Sequence, residues 1–93
     1  MGLLSGPSSG IIARAPRDVV VLERALRELL AIHTVERHML AAHIDRLAMD
    51  ALPRGVEALE GRFRDHLRLR VGRFRILYKV LDGELTIVAV LSD

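Results

Sequence analysis

The sequence lacks cysteine, has no tryptophan and contains only three aromatic residues. Without cysteine the chain forms no disulfide and no thiolate zinc site, so a reducing compartment is the expected setting. With so few aromatic side chains, the core must be built mainly from leucine, valine, isoleucine and alanine. These absences exclude the disulfide-stabilised secreted domains and the cysteine-based zinc domains.

Long apolar segments are also absent. No run approaches the roughly 20 residues that span a bilayer, and the start, MGLLSGPSSG, lacks the basic segment and long apolar stretch of a signal peptide. We therefore expect a cytoplasmic protein with no membrane partner. Glycine, serine and proline dominate residues 1–10. This composition predicts a flexible leader or an expression remnant, followed by a single domain over residues 11–93.

Lysine is scarce as well. Only one of the fourteen basic residues is lysine, and the other thirteen are arginine. Six arginines and the one lysine lie in residues 62–79, which carry a net charge of +6, whereas the other 75 residues carry −4. Arginine favours bidentate contacts with phosphates or carboxylates. Positive charge concentrated in one segment of a nearly neutral chain predicts a polyanionic or acidic partner.

The first half of the sequence predicts a strand followed by two helices. Residues 11–15 are apolar and precede a proline, as in a short first strand. Asp18 is predicted to cap a helix over residues 19–30, and Thr34 to cap a second helix that ends near Ala51. The short link between the helices favours an antiparallel helical hairpin.

Some features of these helices have more than one interpretation. Val20 and Val21 lie outside the apolar stripe of the first helix, which indicates either a helix buried on more than one side or an exposed partner-binding patch. His43 lies in the apolar arc of the second helix and is interpreted as a packed, hydrogen-bonded core histidine. Neither His33 nor His38 has a partner at metal-site spacing, so we predict no metal site and no cofactor.

The second half of the sequence changes to the period of a strand. Residues 67–71 and 74–80 alternate apolar and polar side chains, and Asp82-Gly83 is a strong two-residue hairpin signal. The run 85–91 is apolar on both faces, which is typical of a central strand. The predicted fold class is α+β: an N-terminal strand, an antiparallel helical hairpin and a three-stranded antiparallel meander, with the helices packed on one face of a small sheet.

The alternation predicts a basic face on the meander, opposite the face that meets the helices. The side chains expected on this basic face are His66, Arg68, Arg70, Arg73, Arg75 and Lys79. Adjacent like charges repel, so the phosphates of a nucleic acid or an acidic segment of a partner protein are expected to supply the counter-charge. The alternative is a solvated face whose arginines protect the sheet from aggregation. The binding hypothesis requires that the guanidinium groups converge and that no internal carboxylate already neutralises them.

The sequence restricts the chemistry available to such a face. It has no glycine-rich phosphate loop with a following lysine, no cysteine nucleophile and no carboxylate cluster for metal ions. What remains is metal-free phosphoryl transfer in RNA, in which a 2′-hydroxyl attacks the adjacent phosphate. In that reaction Arg68, Arg70 and Arg75 would offset charge on the phosphate. His66 is the one residue of this face whose type, histidine, has an unperturbed pKa suited to proton transfer near neutrality. A histidine that is structural or merely exposed is the alternative.

Two segments carry a resemblance to a known family. Residues 67–78, LRLRVGRFRILY, followed by a strand, Asp-Gly and another apolar strand, resemble the signature of the RelE/ParE superfamily toxins, and residues 52–61, LPRGVEALEG, resemble the linker that precedes it. The match covers residues 11–92, including the order strand, helix, helix, meander. It implies a toxin of a type II toxin–antitoxin system, neutralised by a cognate antitoxin protein. RelE-like members cut mRNA in the ribosomal A site without a metal, whereas ParE-like members poison DNA gyrase and are not nucleases.

The resemblance also assigns candidate residues. Arg75 corresponds to the arginine after the Gly-x-aromatic pair and Arg70 to the basic residue before Val-Gly, while Arg68 and His66 occupy positions where RelE-like nucleases tend to have lysines. Arg68 keeps the charge, and His66 departs from the lysine pattern although it can still move protons. We therefore predict His66, Arg68, Arg70 and Arg75 as catalytic residues. The residues predicted to contact nucleic acid or antitoxin are Arg62, Arg64, Arg73 and Lys79.

One departure from the family concerns the end of the sequence. RelE-like nucleases usually continue past the last strand with an arginine and, several residues later, an aromatic residue or histidine, whereas this sequence ends at Asp93. The sequence is then truncated, acts in another way, or is inactive, and we expect a nuclease made from it alone to be impaired. The leading hypothesis is ribosome-dependent mRNA cleavage. The alternatives are a gyrase inhibitor and an inactive protein that binds its antitoxin.

Overall fold

The computed structural model describes residues 16–93. The predicted leader, residues 1–10, and the predicted first strand, residues 11–15, lie outside the described residues. Within them, two α-helices, five strands and one 3₁₀ turn follow one another along the chain. In chain order these are β1 (Asp18–Val21), α1 (Glu23–Leu30), α2 (Thr34–Met49), β2 (Glu57–Ala58), the 3₁₀ turn (Gly61–Phe63), β3 (Leu67–Val71), β4 (Phe74–Leu81) and β5 (Glu84–Ser92).

The strands form one mixed sheet in the order β1-β5-β4-β3-β2. β1 is parallel to β5, and the other neighbouring strands are antiparallel. Side chains from both helices and from one face of the sheet pack into a common core. The predicted α+β fold is confirmed, with two helices and an antiparallel meander; the N-terminal strand of the described residues is Asp18–Val21, not the predicted 11–15. No helix described in residues 16–93 is long and apolar enough to cross a membrane.

The start of the first helix was wrongly predicted. Asp18 does not cap a helix, because residues 18–21 are extended and pair with β5 from Glu84 to Ile87; α1 begins at Glu23. Three consecutive valines favour a strand, since a β-branched side chain loses rotamer freedom in a helix. Val20 and Val21 therefore lie outside the helical stripe because they are not helical. Val21 packs against the core, whereas Val20 is exposed.

Helix α2 agrees with its prediction more closely. It begins at Thr34, but the N-cap is His33, whose Nδ1 accepts a hydrogen bond from the backbone N–H of Val35 at 3.3 Å. It ends at Met49, two residues before the predicted end. The Nδ1 of His43 lies 2.9 Å from the carbonyl oxygen of Met39, so the predicted hydrogen bonding is present. His43 is only half-buried and is not among the core residues, so its interpretation as a core histidine is wrong.

The sheet differs from the predicted meander by one additional short strand. β2 was not predicted, because two residues are too few to show an alternating pattern; it pairs with the start of β3 and forms one edge of the sheet. β5 lies between β1 and β4, as its apolar character on both faces predicted. The Asp82-Gly83 turn joins β4 to β5 as expected. In the turn before β4, Gly72 has φ +60°, a left-handed conformation that favours glycine.

The core is centred on the inner face of β4. Phe74, Ile76 and Tyr78 point into it and are at most 1% exposed. The Tyr78 hydroxyl donates a hydrogen bond of 2.7 Å to the carbonyl oxygen of Ala51, so the loop after α2 is tied to the centre of the sheet. Burial, followed by the nearby charge of Asp50, raises the pKa of Tyr78 to about 12.

Candidate functional site

The outer face of the β3–β4 hairpin, which points away from the helices, is basic. On β3, Arg68 and Arg70 alternate with side chains that point into the core, because successive residues of a strand face opposite ways. On β4, Arg75 and Lys79 alternate in the same manner with the buried side chains Phe74, Ile76 and Tyr78. We define the outer face by these four side chains: Arg68, Arg70, Arg75 and Lys79.

The register of the hairpin brings two of these arginines directly opposite each other. Arg70 pairs with Arg75 across the strands, and Arg68 pairs with Leu77. Opposed residues in an antiparallel pair have Cβ atoms about 4.5–5.5 Å apart, so two positive charges are held close together. The predicted convergence of arginines from adjacent strands is therefore present for Arg70 and Arg75, whereas Arg68 lies on the same face opposite Leu77.

Asp93 forms a bridge between the opposed arginines. Its Oδ2 accepts a hydrogen bond from Arg70 Nη1 at 3.2 Å, and its Oδ1 lies 3.2 Å from Arg75 Nη2. The backbone N–H of Asp93 donates to the carbonyl oxygen of Arg73 at 3.0 Å and so extends the β4–β5 ladder past Ser92. The Nε of Arg75 is buried and has no hydrogen-bond partner among the described residues.

Arg68 also has an internal counter-charge. Its Nε and Nη2 both donate to Oε1 of Glu57, at 3.0 Å and 2.8 Å. Glu57 is the register partner of Arg68 across β2 and β3, so this is a cross-strand pair that supports the short edge strand. Lys79 is half-buried and forms no ion pair with any residue from 16 to 93.

Arg73 does not share the outer face, which corrects the prediction. It lies in the β3–β4 turn, and its Nε and Nη2 donate to the two carboxylate oxygens of Glu36 at 3.3 Å and 2.9 Å. Its guanidinium carbon also lies 4.5 Å from the centre of the Phe74 ring. The hydrogen bond from Arg73 lowers the pKa of Glu36, and the same bond raises the pKa of Arg73. Arg73 thus connects the hairpin turn to the first turn of α2, on the helix side of the sheet.

His66, which was predicted on the basic face of the meander, lies before β3 and not on the strand. Arg62 lies in the 3₁₀ turn and Arg64 directly after it, and both are exposed. His66 precedes the strand; its backbone N–H donates to the carbonyl oxygen of Phe63 at 2.8 Å, and the two rings meet edge to face at 5.5 Å. The Nδ1 of His66 is buried without a hydrogen-bond partner among the described residues. The histidine packs on this turn at the start of β3.

The condition set for the binding hypothesis, that no internal carboxylate neutralises the arginines, is not met for four of them: Arg68, Arg70, Arg73 and Arg75. On the outer face, however, the ion pairs remain accessible to solvent. Arg70 and Asp93 are 60% and 54% exposed, and Arg75 is 28% exposed. Exposed ion pairs of this kind contribute about 0.2–1 kcal/mol each. These arginines are therefore only weakly held by their internal carboxylates.

A groove lies beside the outer face, between α2, the loop after it and β3. It has a volume of about 840 Å³, and its lining includes Leu47, Met49, Leu69 and the basic side chains Arg46, Arg54 and Arg70. Arg70 belongs both to this groove and to the outer face. Among residues 16–93 no three histidine or acidic side chains are grouped so that they could hold a metal ion.

The sequence interpretation missed the acidic partners of the arginines. Glu36, Glu57 and Asp93 are distant from their arginines in sequence and were treated only as part of the overall charge. For Glu57 the missing information was the existence of β2, which sets its register against Arg68. For Asp93 it was the continuation of the β4–β5 ladder, which brings the last residue back beside the hairpin turn.

Comparisons with known proteins give a result only at the level of structure. No protein-family model matches the sequence, and no curated protein matches it. Among solved structures, a chain of the toxin–antitoxin complex RelBE2 from Mycobacterium tuberculosis superimposes with a TM-score of 0.76 at 21% identity, covering 85% of this chain and 100% of that one. A chain of the archaeal RelE–RelB complex from Pyrococcus horikoshii gives 0.72 at 22% identity, covering 84% and 96%.

A toxin solved without its antitoxin also has a similar structure. The isolated RelE toxin of E. coli has a TM-score of 0.70 at 19% identity, covering 82% of this chain and 83% of the toxin. Because the identities are low, the similarity establishes the fold and leaves the activity to be argued from the residues. The chain has the fold of RelE toxins.

Proposed function

We propose that this chain is a RelE-like toxin of a type II toxin–antitoxin system that inhibits translation by ribosome-dependent, metal-free cleavage of mRNA. The observation that carries the proposal is the pair of directly opposed arginines, Arg70 and Arg75, on the outer face of a sheet with the RelE fold. Arg68 lies two residues from Arg70 on the same face. Three guanidinium groups from two strands suit a phosphate that gains negative charge during the reaction.

The arginines have distinct roles in this proposal. Arg75 is the least exposed of the three, at 28%, and lies between buried neighbours on β4, so its guanidinium is the best positioned to stabilise developing charge on the phosphate. Arg70 faces it from β3 and would bind another phosphate oxygen. Arg68 would contact the adjoining part of the RNA backbone. Lys79, which is without an ion pair in residues 16–93, adds positive charge farther along β4.

His66 is proposed as the group that moves protons. Attack by the 2′-hydroxyl needs a proton acceptor, which is the role proposed for His66, and the 5′-oxygen, which leaves from the opposite side of the phosphorus, takes its proton from water. His66 lies directly before β3, two residues from Arg68, and contacts Phe63. Edge-to-face packing against Phe63 limits rotation of the imidazole. A role limited to this packing is the competing interpretation, and a His66→Phe variant distinguishes the two, because it would keep the contact and abolish proton transfer.

A cognate antitoxin is the proposed protein partner, with the ribosome and mRNA as targets. Support comes from the solved relatives, which include RelE–RelB and RelBE complexes. Arg62 and Arg64 are exposed at the turn before β3, where they are available to an acidic segment of the antitoxin or to the RNA backbone. Arg73 and Lys79 remain candidates for the same contacts. For Arg73 a partner must compete with Glu36.

Inhibition of DNA gyrase without catalysis is the second candidate function. One observation favours it: the outer-face arginines are paired with Glu57 and Asp93, and His66 packs against Phe63 before the strand begins. A site in which the only candidate base, His66, is packed against another side chain is less suited to proton transfer than a site with an accessible base. The basic face would then bind a protein surface, and no RNA bond would be cut.

Controlled expression in bacteria tests the proposal. Pulse-labelling of protein synthesis and gel analysis of plasmid supercoiling are followed after induction. The proposal predicts that protein synthesis stops first and that supercoiling is unchanged at that time. Loss of supercoiling with intact transcripts would replace it with the gyrase function. Unimpaired growth, together with tight binding to an acidic protein encoded next to this one, would indicate an inactive antitoxin-binding protein.

A further inference from the structure

Asp93 occupies a position between two arginines that the sheet forces together. Arg70 and Arg75 are register partners; Arg70 donates a hydrogen bond of 3.2 Å to Oδ2 of Asp93, and Arg75 forms an ion pair of 3.2 Å with Oδ1 of the same carboxylate. Two like charges held directly opposite each other destabilise a sheet. An anion between them relieves this repulsion, and in the free protein that anion is a side chain of the same molecule.

The bridge differs from the other ion pair on the outer face. Arg68 and Glu57 are cross-strand neighbours, and both hydrogen bonds go to a single oxygen of Glu57. At Asp93, by contrast, two oxygens of one anion connect guanidinium groups from two strands, as two non-bridging oxygens of a phosphate would. A phosphate brings further acceptors, and the buried Nε of Arg75 is a donor that Asp93 leaves unused.

Asp93 can also leave this position at small cost. Its side chain is 54% exposed, and its place in the sheet depends on its backbone N–H, which donates to the carbonyl oxygen of Arg73. Rotation of the side chain into water would break two exposed ion pairs and leave the backbone contact intact. The carboxylate is therefore fixed enough to occupy the site and weakly enough held to be displaced.

We infer that Arg70 and Arg75 form a binding site for one phosphodiester group of RNA, and that Asp93 is an internal competitor for that site. The inference rests on the proposed function, because it takes RNA as the ligand of the outer face. It adds a residue that the catalytic assignment does not contain. Asp93 lowers the affinity of the free protein for RNA, and RNA binding requires the carboxylate to move away.

Equilibrium binding to a short RNA tests the inference. The probe is a fluorescein-labelled, 2′-O-methylated single strand of about ten nucleotides, which lacks the attacking hydroxyl and cannot be cleaved by this route. Fluorescence anisotropy is measured for the wild type, Asp93→Asn and Asp82→Asn. Asp82 is exposed in the β4–β5 turn, so its variant reports the effect of one lost negative charge away from the site. Circular dichroism confirms that each variant is folded, and Asp93→Ala serves as a second variant.

The expected result is a gain in affinity for RNA when the charge is removed at Asp93 but not when it is removed at Asp82. Asp93→Asn should bind about 3- to 10-fold more tightly, a range that matches the energy of one or two exposed ion pairs, whereas Asp82→Asn should change the affinity less than about 2-fold. The gain should disappear when Arg70→Ala and Arg75→Ala are added. The dependence of log K on log salt should become steeper by about 0.7 for each additional phosphate contact.

Other outcomes separate this inference from the proposed function. If the double arginine variant binds RNA more weakly but Asp93→Asn equals Asp82→Asn, the competitor role is wrong and the RNA-binding face stands. If removal of both arginines changes nothing in either background, the RNA-binding face itself is wrong. A gain in affinity for a glutamate-rich decapeptide of matched charge but not for RNA would identify the site as one for an acidic protein partner and overturn the inference.

Discussion

The two faces of the β3–β4 hairpin are encoded by the same residues in alternation but have opposite physical character. On the inner face Phe74, Ile76 and Tyr78 are almost fully buried. On the outer face Arg70 and Arg75 lie opposite each other and are held by exposed ion pairs. The inner face derives its stability from burial, at about 25 cal/mol per Å² of apolar surface. The outer face contributes little stability and concentrates positive charge.

Because the two faces differ in this way, we expect that stability and binding can be changed separately on one pair of strands. A substitution on the inner face should act through the free energy of unfolding, whereas one on the outer face should act through affinity or rate.

Truncation of the inner face should have the largest effect. Ile76 is 0% exposed at the centre of β4, and Ile76→Ala removes buried methyl groups and leaves a cavity. We expect a loss of about 2–5 kcal/mol in the free energy of unfolding, measured by urea denaturation. A loss below about 1 kcal/mol would mean that the core is not centred on this strand.

Substitution of the buried Tyr78 should have an intermediate effect on the free energy of unfolding. Tyr78→Phe removes the hydrogen bond to the carbonyl oxygen of Ala51 and should cost about 1–3 kcal/mol, because a buried acceptor is left without its donor. The effect should also depend on pH. Since the pKa of Tyr78 is raised to about 12 in the folded protein, the unfolded chain loses this proton first, and stability should fall as the pH rises from about 10 to 12. Stability curves of wild type and Tyr78→Phe measured between pH 8 and 12 should converge at the alkaline end.

Substitutions on the outer face should change the free energy of unfolding, measured by urea denaturation, only slightly. Arg70→Ala is expected to change the free energy of unfolding by less than about 1 kcal/mol, because its ion pair with Asp93 is exposed and its removal relieves repulsion from Arg75. Arg27→Ala, which removes an exposed arginine of α1 paired with Glu23, is the matched control. A destabilisation as large as that of Ile76→Ala would contradict the separation of the two faces.

The smallest effect on stability is expected for the ion pair between Arg73, in the β3–β4 turn, and Glu36. The hydrogen bond from Arg73 lowers the pKa of Glu36, so the pair stabilises the fold at neutral pH and this contribution is lost as the pH falls through the titration of Glu36. In Arg73→Ala the pKa of Glu36 should return toward that of an ordinary glutamate. NMR titration of the side-chain carboxyl carbons measures this directly, and an unchanged pKa of Glu36 would show that the pair does not form in solution.

The alternation in the sequence was sufficient to predict the meander and the identity of the inner and outer faces. Leu69 and Ile76 point inward while Arg70 and Arg75 point outward, because the period of a strand is two whatever surrounds it. β1 was harder to predict. Its valines fit a helical pattern in part, and the strand is stabilised by hydrogen bonds to β5, more than sixty residues later in the chain. Tertiary pairing of this kind overrides a local pattern.

The candidate site was predicted less completely than the fold. The spacing of Arg68, Arg70 and Arg75 indicates that they share a face, but spacing does not show which carboxylates fold back onto them. The bridge formed by Asp93 depends on where β5 ends beside the hairpin turn, and the displacement of Arg73 from the outer face depends on the approach of α2. These are long-range contacts of flexible side chains, which no local pattern encodes.

Primer extension on mRNA in a reconstituted translation reaction is the decisive measurement for the proposed cleavage. We expect cuts in phase with the codons on ribosome-bound mRNA for the wild type and for the control Arg27→Ala. Arg75→Ala should lower the rate by about 10²–10³, because it removes the proposed electrostatic stabiliser of the transition state. Uncut mRNA with folded wild-type protein, or equal cleavage by Arg75→Ala, would contradict the assignment of the outer face as a site of RNA cleavage.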